Sequence, residues 1–424
     1  MGATLLLLLW LLLGGSGFPG APGATEALSA TTTTGQTAQV GQTGSTQHQV
    51  SSEVLPPAAT QDPKAAADRV PAVGGKSVIL VNMDDGRVIY ERNADEQRSI
   101  ASTTKIMTGI IALETLPLDK IVTASAKATD AGESEIWMEP GEQLSVGDLM
   151  KALLVRSAND AAVALGEAAA GSLDAFVEKM NAKAAELGLI NTHFANPHGL
   201  EAKEHYSSAR DLAKLARYAM QNEEFRKLVA TAKVNIPWPG RPYDRVLKNR
   251  NDLVGAVQFV TGVKSGYTAK AGYCLVGSGA RDGASLVSVI LGEDTKAAVD
   301  ADTVSLLEYG FTKYRQVSLM EEGVPVAAMD VPYHFGEKVV LKTERNLVRT
   351  VYSDDPITKT VVVQDRLVLP VSQGQVLGKI TFATGTAVAG EVDLVSDRAI
   401  EAPTLRVKLR YVWDRMINWL GKAV

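Results

Sequence analysis

The sequence predicts an α/β domain with an inserted helical region, followed by a small all-β domain and a C-terminal amphipathic helix. β-rich runs occur at both ends of residues 72–314, and helical periodicity fills the stretch between them. Short β-rich runs separated by Gly, Pro and Asp follow over residues 315–403. Strands at both ends of a helical stretch predict a sheet covered by helices, and the later change of pattern predicts a separate domain.

Two segments precede this folded part. Leu5–Leu13 is an uninterrupted apolar run followed by small residues, and it is too short to span a membrane. Residues 1–30 therefore predict a signal peptide and export, although the first Lys or Arg is Lys64 and the usual positively charged start is absent. Residues 31–71 are rich in Thr, Gln and Gly without apolar periodicity, which predicts a disordered linker.

The composition narrows the class of protein. The chain has 424 residues, of which 46% are hydrophobic and 21% charged, with a net charge of -5. These values are typical of a globular protein and lack the basic character of a nucleic-acid-binding domain, so we expect no nucleic-acid partner. The single cysteine, Cys274, excludes an internal disulfide, and its apolar surroundings predict a core thiol.

Local patterns predict the elements of the first domain. Asp85-Gly86 lies between two β-rich runs and predicts a hairpin. A helix that Pro117 ends has an apolar face formed by Ile106, Ile110 and Leu113. Two further strands around a tight turn are predicted in GYCLVGSGA and ASLVSVILG. In the second domain, strands are predicted in KVVLKT, TVVVQD, RLVLPV, KITFATG and EVDLVS.

Residues 404–424 predict an amphipathic helix, although TLRVKL also alternates like a strand and leaves its start open. Its apolar side is formed by Leu409, Val412, Met416, Trp419 and Leu420. The basic residues that flank or oppose this side are Arg406, Lys408, Arg410, Arg415 and Lys422. So many charges make a poor transmembrane span and favour a helix on the membrane surface. The alternative is a helix packed on its own domain.

The first candidate catalytic residues lie in the segment ASTTKIMTG, residues 101–109. Ser102 precedes Lys105 by three residues at the start of a helical pattern, so one turn brings both side chains onto the same face. Alone this spacing is weak, because Ser102 or Thr103 could be a helix N-cap and Lys105 a surface charge. Two other segments strengthen it: Ser157-Ala158-Asn159 at a break between helical runs, and Lys264-Ser265-Gly266 on a predicted strand.

Together and in this order, the three segments resemble the motifs of the penicillin-recognising serine D,D-peptidases. Within them the chain resembles the low-molecular-weight D-alanyl-D-alanine carboxypeptidases of the peptidase S11 type, over roughly residues 74–420. The resemblance implies a serine β-lactamase/D,D-peptidase-like domain with an antiparallel sheet. It also implies removal of the terminal D-alanine from peptidoglycan stem pentapeptides, inhibition by β-lactams, no cofactor or metal, and action at the extracytoplasmic face of the membrane.

The resemblance assigns catalytic roles to three residues. Ser102 would be the nucleophile and Lys105 its base, while Ser157 would relay a proton to the leaving amine. A lysine with an ordinary pKa near 10.4 is almost fully protonated at pH 7, so Lys105 must be buried and close to another cation. Lys264 could be that cation.

The remaining motif residues would bind substrate. Asn159 would hold a substrate amide, and Lys264 with Ser265 would bind the terminal carboxylate. Gly266 lets the substrate lie close to the strand, and Tyr267 would supply one backbone N–H of the oxyanion hole. The family usually has Lys-Thr-Gly where this chain has Lys-Ser-Gly, so we expect looser carboxylate binding.

Other functions remain open on sequence grounds. A Ser-His-Asp triad could use His198 or His205 with Asp211, but no G-x-S-x-G elbow is present. The spacing of His193, His198 and His205 does not match H-E-x-x-H, which argues against a zinc peptidase. A β-lactamase, a D,D-endopeptidase and a non-catalytic peptidoglycan-binding scaffold are the remaining alternatives.

Overall fold

The computed structural model describes residues 47–55, 70–385 and 387–420. The strands are β1 Gln47–Leu55, β2 Ser77–Asn82, β3 Val88–Arg92, β4 Ile121–Thr123, β5 Gln143–Ser145, β6 Lys233–Ile236, β7 Arg245–Lys248, β8 Val260–Thr268, β9 Gly272–Arg281, β10 Ala284–Glu293, β11 Tyr314–Met320, β12 Pro325–Asp330, β13 Lys338–Thr343, β14 Leu347–Tyr352, β15 Ile357–Gln364, β16 Val376–Thr384 and β17 Ala387–Ser396. The helices are α1 Lys105–Thr115, α2 Ala126–Thr129, α3 Val146–Lys151, α4 Asn159–Ala170, α5 Leu173–Glu186, α6 Ala209–Ala219, α7 Glu223–Val229, α8 Lys296–Phe311 and α9 Leu405–Leu420.

A five-stranded antiparallel sheet in the order β3-β2-β10-β9-β8 forms the centre of the first domain. Its strands alternate between two cores, as the two-residue period of a strand requires. Val78 and Leu80 face the core that contains α8, whereas Ile79 and Val81 face the core of the remaining helices. The sheet is therefore buried on both faces, which explains the nearly continuous apolar runs of β2 and β10.

The second domain is all-β, as predicted. β1, β15, β16, β17, β13 and β12 form a six-stranded antiparallel sheet, and β11 pairs with β14. The strand predicted in RLVLPV is wrong, because this segment forms only an isolated bridge between Val371 and Ile400. Leu367 and Val371 are nevertheless buried in the domain core, so the apolar pattern reports core packing rather than a strand.

β1 corrects the prediction of a disordered linker over 31–71. Residues 47–55 pair with β15 in antiparallel register, from Gln47 opposite Gln364 to Leu55 opposite Ile357. Backbone hydrogen bonding explains the strand, since nearly all its side chains are exposed and carry no apolar pattern to reveal it. The signal peptide predicted over 1–30, and linker residues 31–46 and 56–69, lie outside the described residues.

The C-terminal helix α9 begins at Leu405, so the helical interpretation of TLRVKL is correct from that residue onward. Its contact with the β-domain is aromatic: the ring of Tyr411 lies 4.6 Å from that of Phe335 and 5.6 Å from that of Tyr333. Leu409, Met416 and other apolar side chains of the helix remain exposed. No helix in the described ranges is long and apolar enough to cross a membrane.

The two domains contact each other through polar side chains. Both terminal nitrogens of Arg87, in the first domain, donate to the Asp355 carboxylate at 2.8 and 2.6 Å. The Arg87 guanidinium also lies 4.4 Å from the centre of the Tyr352 ring. Thr350 donates a hydrogen bond to the carbonyl of Asp282, at the turn between β9 and β10.

Candidate active site

The turn that carries Ser102 is a short 3-10 helix, Ala101–Thr104, which leads directly into α1. Nζ of Lys105 lies 2.9 Å from Oγ of Ser102. The N-cap alternative is not formed, since no side chain caps either helix start and Thr103 bonds the carbonyl of Ile100 instead. Lys105 is completely buried, so it is not a surface charge.

Three oxygen atoms surround the amine of Lys105. Besides Ser102 Oγ, these are Oδ1 of Asn159 at 2.6 Å and the carbonyl oxygen of His198 at 2.7 Å. The two carbonyl-type oxygens can only accept hydrogen bonds, whereas a hydroxyl can also donate. A neutral amine has two N–H groups, which these two acceptors occupy, and its lone pair then faces the hydroxyl of Ser102.

Electrostatics favour this neutral form. Burial, followed by the nearby charge of Lys264, lowers the pKa of Lys105 well below its usual value of 10.5. Lys264 is itself buried, and desolvation together with the charge of Arg250 lowers its pKa to about 7. The predicted role of Lys264 as a neighbouring cation therefore has a physical basis, while its own charge depends on pH near neutrality.

Ser157 lies at a sharp reversal of the chain. A π-helical turn, Ala152–Arg156, ends there, and Ser157 has a left-handed φ of 68° before α4 begins at Asn159. The reversal places the neighbouring Asn159 against Lys105. Among the described residues the Ser157 hydroxyl has no hydrogen-bond partner, so its predicted relay role stays a prediction.

Strand β8 passes directly over the nucleophile. A Cβ atom on Gly266 would lie 2.7 Å from the backbone nitrogen of Ser102, so no larger residue fits without displacing the backbone. Lys264 Nζ donates to the carbonyl of Ser265 at 2.8 Å. Tyr267 is 55% exposed, and the centre of its ring lies 4.5 Å from that of Tyr273, with the two ring planes tilted by 37°. The structure thus brings all three sequence motifs to one place.

The contacts that support the nucleophile from behind were not predicted from the sequence. Ala101 has a left-handed φ of 47°, and its carbonyl accepts a hydrogen bond from Thr104 Oγ1. Nδ1 of His205 accepts from the N–H of Ala195, so Nε2 carries the proton that it donates to Thr104 at 2.8 Å. Gly199 packs so closely on this turn that an added Cβ would lie 2.0 Å from the carbonyl oxygen of Ala101.

Two charged residues near the site were also missed. Arg250 is exposed and close enough to Lys264 to lower its pKa. The carboxylate of Asp160, which follows Asn159, is fully buried and accepts backbone hydrogen bonds from Ile136 and Met138. An acidic residue at a helix start is an ordinary feature, and the sequence gives no sign that this one organises a distant loop.

The residues of the alternative sites lie elsewhere or bind other groups. Asp211 accepts from Asn191 N–H and Thr192 Oγ1 instead of contacting a histidine, so no Ser-His-Asp triad forms. Desolvation lowers the pKa of His198 to about 3 and that of His205 to about 4. Cys274 is 1% exposed, and burial raises its pKa to about 11, which confirms the predicted core thiol.

His193 contacts the carbonyl of Glu204 through Nδ1 at 2.6 Å. Within residues 47–55, 70–385 and 387–420, no group of three or more His, Cys, Asp or Glu side chains could hold a metal ion.

This geometry defines a class: serine enzymes whose nucleophile is activated by a buried lysine. Residues 64–295 match the family profile of the peptidase S11 D-alanyl-D-alanine carboxypeptidases. Residues 314–402 match the profile of the C-terminal domain of penicillin-binding protein 5. The chain belongs to the peptidase S11 family. It is a hydrolase of the D-alanyl-D-alanine carboxypeptidase class, with a role in peptidoglycan metabolism.

Individual relatives agree with this assignment. The chain is 34% identical over 343 residues to D-alanyl-D-alanine carboxypeptidase DacF of Bacillus subtilis, a match that covers 78% of this chain and 87% of that protein. It is 33% identical over 328 residues to DacA of Escherichia coli, covering 74% and 80% of the two chains. The crystal structure of DacD from Francisella tularensis superposes with a TM-score of 0.58 at 26% identity, covering 81% and 98%.

Proposed function

We propose that the chain removes the last D-alanine from peptidoglycan stem pentapeptides through an acyl-enzyme on Ser102. The observation that carries this proposal is the 2.9 Å contact between Ser102 Oγ and the buried amine of Lys105. Neutral Lys105 takes the hydroxyl proton as the oxygen attacks the carbonyl of the penultimate D-alanine. The peptide C–N bond then breaks, D-alanine leaves with the returned proton, and water hydrolyses the ester.

The negative charge on the attacked carbonyl oxygen needs donors that are in place before reaction. We assign this role to the backbone N–H groups of Ser102 and Tyr267. Gly266 supports the assignment because β8 lies so close to the Ser102 turn at this residue that an added Cβ would be 2.7 Å from the Ser102 nitrogen. Gly266→Ala should lower acylation strongly, since the new methyl group would meet the Ser102 nitrogen.

The leaving side of the substrate carries a free carboxylate. Lys264, Ser265 and Arg250 provide cationic and hydroxyl groups on one side of the site, which suits a terminal carboxylate. Ser157, 4% exposed at the chain reversal, would return the proton to the leaving amine. Such a site favours a peptide end over an internal bond, and so favours carboxypeptidase over endopeptidase activity.

Asn159 has a structural task that its predicted role did not include. Its Oδ1 accepts from Lys105 and its Nδ2 donates to the carbonyl of Gly132 at 2.8 Å. Asn159 therefore orients the base in the free enzyme. Binding of a substrate amide by Asn159 would require exchange of one of these hydrogen bonds.

Location follows from the proposed substrate. Peptidoglycan lies outside the cytoplasm, so the proposed signal peptide over 1–30 would export the chain. We assign α9 to the membrane surface at the extracytoplasmic face. The apolar side chains of its exposed face, each 45–70% exposed, are Leu405, Leu409, Trp413, Met416, Ile417, Trp419 and Leu420. Unlike the predicted set, this face omits the half-buried Val412 and includes Leu405, Trp413 and Ile417.

The contact with the β-domain uses another side of α9, through Tyr411 and Lys408. The apolar face therefore remains available to a bilayer. Deleting residues 409–424 should release the protein from membranes. Leu409→Glu with Met416→Glu should weaken binding to anionic vesicles, whereas Asp414→Glu, on the other side of the helix, should not. Unchanged sedimentation of the deletion variant with membranes would contradict the proposal.

The decisive assay measures D-alanine release from a synthetic stem pentapeptide. Wild type should release D-alanine and form a stable covalent adduct with a fluorescent penicillin. Ser102→Ala should do neither, whereas Ser372→Ala, an exposed serine of the β-domain, should do both. Labelling without D-alanine release would reject the carboxypeptidase. Rapid turnover of penicillin would indicate a β-lactamase, and neither reaction would indicate a scaffold.

A further inference from the structure

Trp137 has a backbone conformation that large side chains rarely adopt. Its φ is 56°, in the left-handed region, and its side chain is 61% exposed. A bulky residue in this region is strained and persists only where the surrounding structure holds it. Exposure of the indole means that packing of the ring does not compensate for the strain.

Two buried charged side chains hold the backbone at Trp137. The carboxylate of Asp160 accepts from the N–H groups of Ile136 and Met138 at 3.1 and 3.2 Å, one on each side of Trp137. The Trp137 carbonyl accepts from Nη2 of Arg245 at 3.2 Å, and Arg245 pairs with Glu142 at 2.6 Å. Burying such charges is costly. Their contacts fix the backbone at Trp137, and this backbone conformation keeps the indole on the surface.

The same loop is attached to the catalytic centre. Asn159 donates through Nδ2 to the carbonyl of Gly132 and through its backbone nitrogen to the carbonyl of Ser134, at 2.8 and 2.6 Å. Its Oδ1 accepts from Lys105. Trp137 therefore stands on a loop whose base shares a hydrogen-bond network with the general base.

A guanidinium that forms no salt bridge with any described residue accompanies the indole. Arg156 immediately precedes Ser157, and its guanidinium carbon lies 5.8 Å from the centre of the Trp137 ring. Within the described part of the chain, its side chain forms no hydrogen bond or salt bridge. Arg250 adds a second positive charge. After burial, this charge lowers the pKa of Arg156 most, more strongly than the nearby carboxylate of Asp160 raises it, so this edge of the site favours an anion.

We propose that Trp137 and Arg156 bind the part of the stem peptide that lies N-terminal to D-alanyl-D-alanine. The inference rests on the proposed function and deepens it. The indole would cover the aliphatic surface of that part, and Arg156 would bind one of its free carboxylates. A side-chain-linked glutamate in a stem peptide leaves an α-carboxylate free for this contact. The unpaired guanidinium favours such an acidic peptide over an uncharged sugar.

Two substrates of different length test the inference. Diacetyl-L-Lys-D-Ala-D-Ala contains the scissile bond but lacks the acidic portion, whereas L-Ala-γ-D-Glu-L-Lys-D-Ala-D-Ala contains both. Trp137→Ala and Arg156→Gln should each lower kcat/KM on the pentapeptide about tenfold, and leave the tripeptide within about twofold. Arg281→Gln is the matched control, because the guanidinium of Arg281, at the end of β9 and outside this loop, lies 4.4 Å from the centre of another aromatic ring, Phe259. It should change neither rate.

Trp137→Gly separates binding from structural support. Glycine tolerates the left-handed backbone, so this variant should have an equal or higher Tm than wild type while showing the same loss on the pentapeptide. Equal losses on both substrates, or no loss on either, would overturn the inference. A third substrate, the same pentapeptide linked to a glycan, tests for sugar binding, and a loss confined to that substrate would also overturn the inference. Absence of wild-type D-alanine release from both substrates would instead reject the proposed function itself.

Discussion

The two domains differ in what their cores contain. The peptidase domain buries two lysines, Lys105 and Lys264, together with Asp160, Asp211 and several amides and hydroxyls. In the described part of the β-domain, between residues 314 and 402, Thr343 and Ser396 are the only buried polar residues. Buried polar groups are tolerated where hydrogen bonds compensate for lost water, and buried charges cost more.

This difference in core composition indicates that the peptidase domain carries the catalytic groups, whereas the β-domain has a supporting role. The peptidase domain buries an amine, that of Lys105, whose pKa is lowered by the burial, and this burial costs folding free energy. The β-domain has an apolar core formed largely by residues of its two antiparallel sheets. The charged side chains of its described residues are not buried in this core. We therefore expect core substitutions in the first domain to affect stability and activity together, and those in the second to affect stability alone.

The largest expected effect is that of Lys105→Met. Loss of the base should lower acylation by penicillin about 10³-fold or more. The free energy of unfolding should change little, because removal of the costly buried amine is offset by the loss of its hydrogen bonds to Asn159 Oδ1 and the His198 carbonyl. Stopped-flow acylation and urea denaturation measure the two quantities. Lys127→Met, at an exposed lysine of α2, should change neither. A variant retaining a tenth of wild-type activity would show that another group is the base.

Phe382→Ala should affect the β-domain alone. The ring is completely buried, so its loss should cost about 3–5 kcal/mol of unfolding free energy. The kcat/KM on the tripeptide at 25 °C should stay within about twofold wherever the peptidase domain remains folded. Phe225→Ala, an equally buried phenylalanine of α7, is the matched variant and should lower both stability and activity. Equal activity losses in the two variants would remove the distinction between the domains.

The buried lysines should make stability depend on pH. Lys264 titrates near 7 in the folded protein and at its usual value of about 10.5 when unfolded. Between these values the unfolded state binds more protons, so the free energy of unfolding should rise with pH, by up to about 1.4 kcal/mol per unit for one group. Urea denaturation at pH 7, 8.5 and 10 measures this slope, and Lys264→Met should reduce it. An unchanged slope in the variant would mean that other groups cause the rise.

Activity should also depend on the charges of Lys105 and Lys264, and it should fall at both low and high pH. Protonation of Lys105 at low pH should lower acylation by up to tenfold per pH unit, because only the neutral amine accepts the serine proton. Loss of the Lys264 charge at high pH should weaken carboxylate binding. Since the two amines interact, the pH profile of kcat/KM reports the pair rather than either residue.

The smallest expected effect is at the contact between the domains. Arg87→Gln removes a two-point ion pair with Asp355, but the Arg87 side chain is 35% exposed. Such pairs contribute about 1 kcal/mol or less. We expect a small decrease in Tm and unchanged kcat, with faster proteolysis between the domains. Arg366→Gln, at an exposed arginine of the β-domain, should have no effect on proteolysis. A large loss of activity would show that the contact shapes the catalytic site.

Strong local patterns allowed much of the fold to be predicted. The β2–β3 hairpin, the three strands β8–β10 and the helix ending before Pro117 follow from periodicity and turn residues. β1 could not be predicted, because its side chains are exposed and only pairing with β15 makes it a strand. RLVLPV shows the opposite error, where an apolar run is buried without being a strand.

The catalytic motifs were visible in sequence, and the groups that orient them were not. Ser102, Lys105 and Lys264 lie in one site, yet no pattern connects His205 to Thr104 or Asp160 to the loop of Trp137. These contacts join residues distant in sequence through single hydrogen bonds. The left-handed conformation of Trp137 could not be predicted either, because a tryptophan in the sequence gives no sign of its backbone φ angle.

The polypeptide enters the described fold through β1, at residue 47, and leaves it through α9, at residue 420, and both elements attach to the β-domain. Anything fused to either end, such as a fluorophore, an affinity handle or a surface, is therefore carried by that domain. A mechanical pull applied between the two ends would load the β-sheets first and reach the serine only after they had opened.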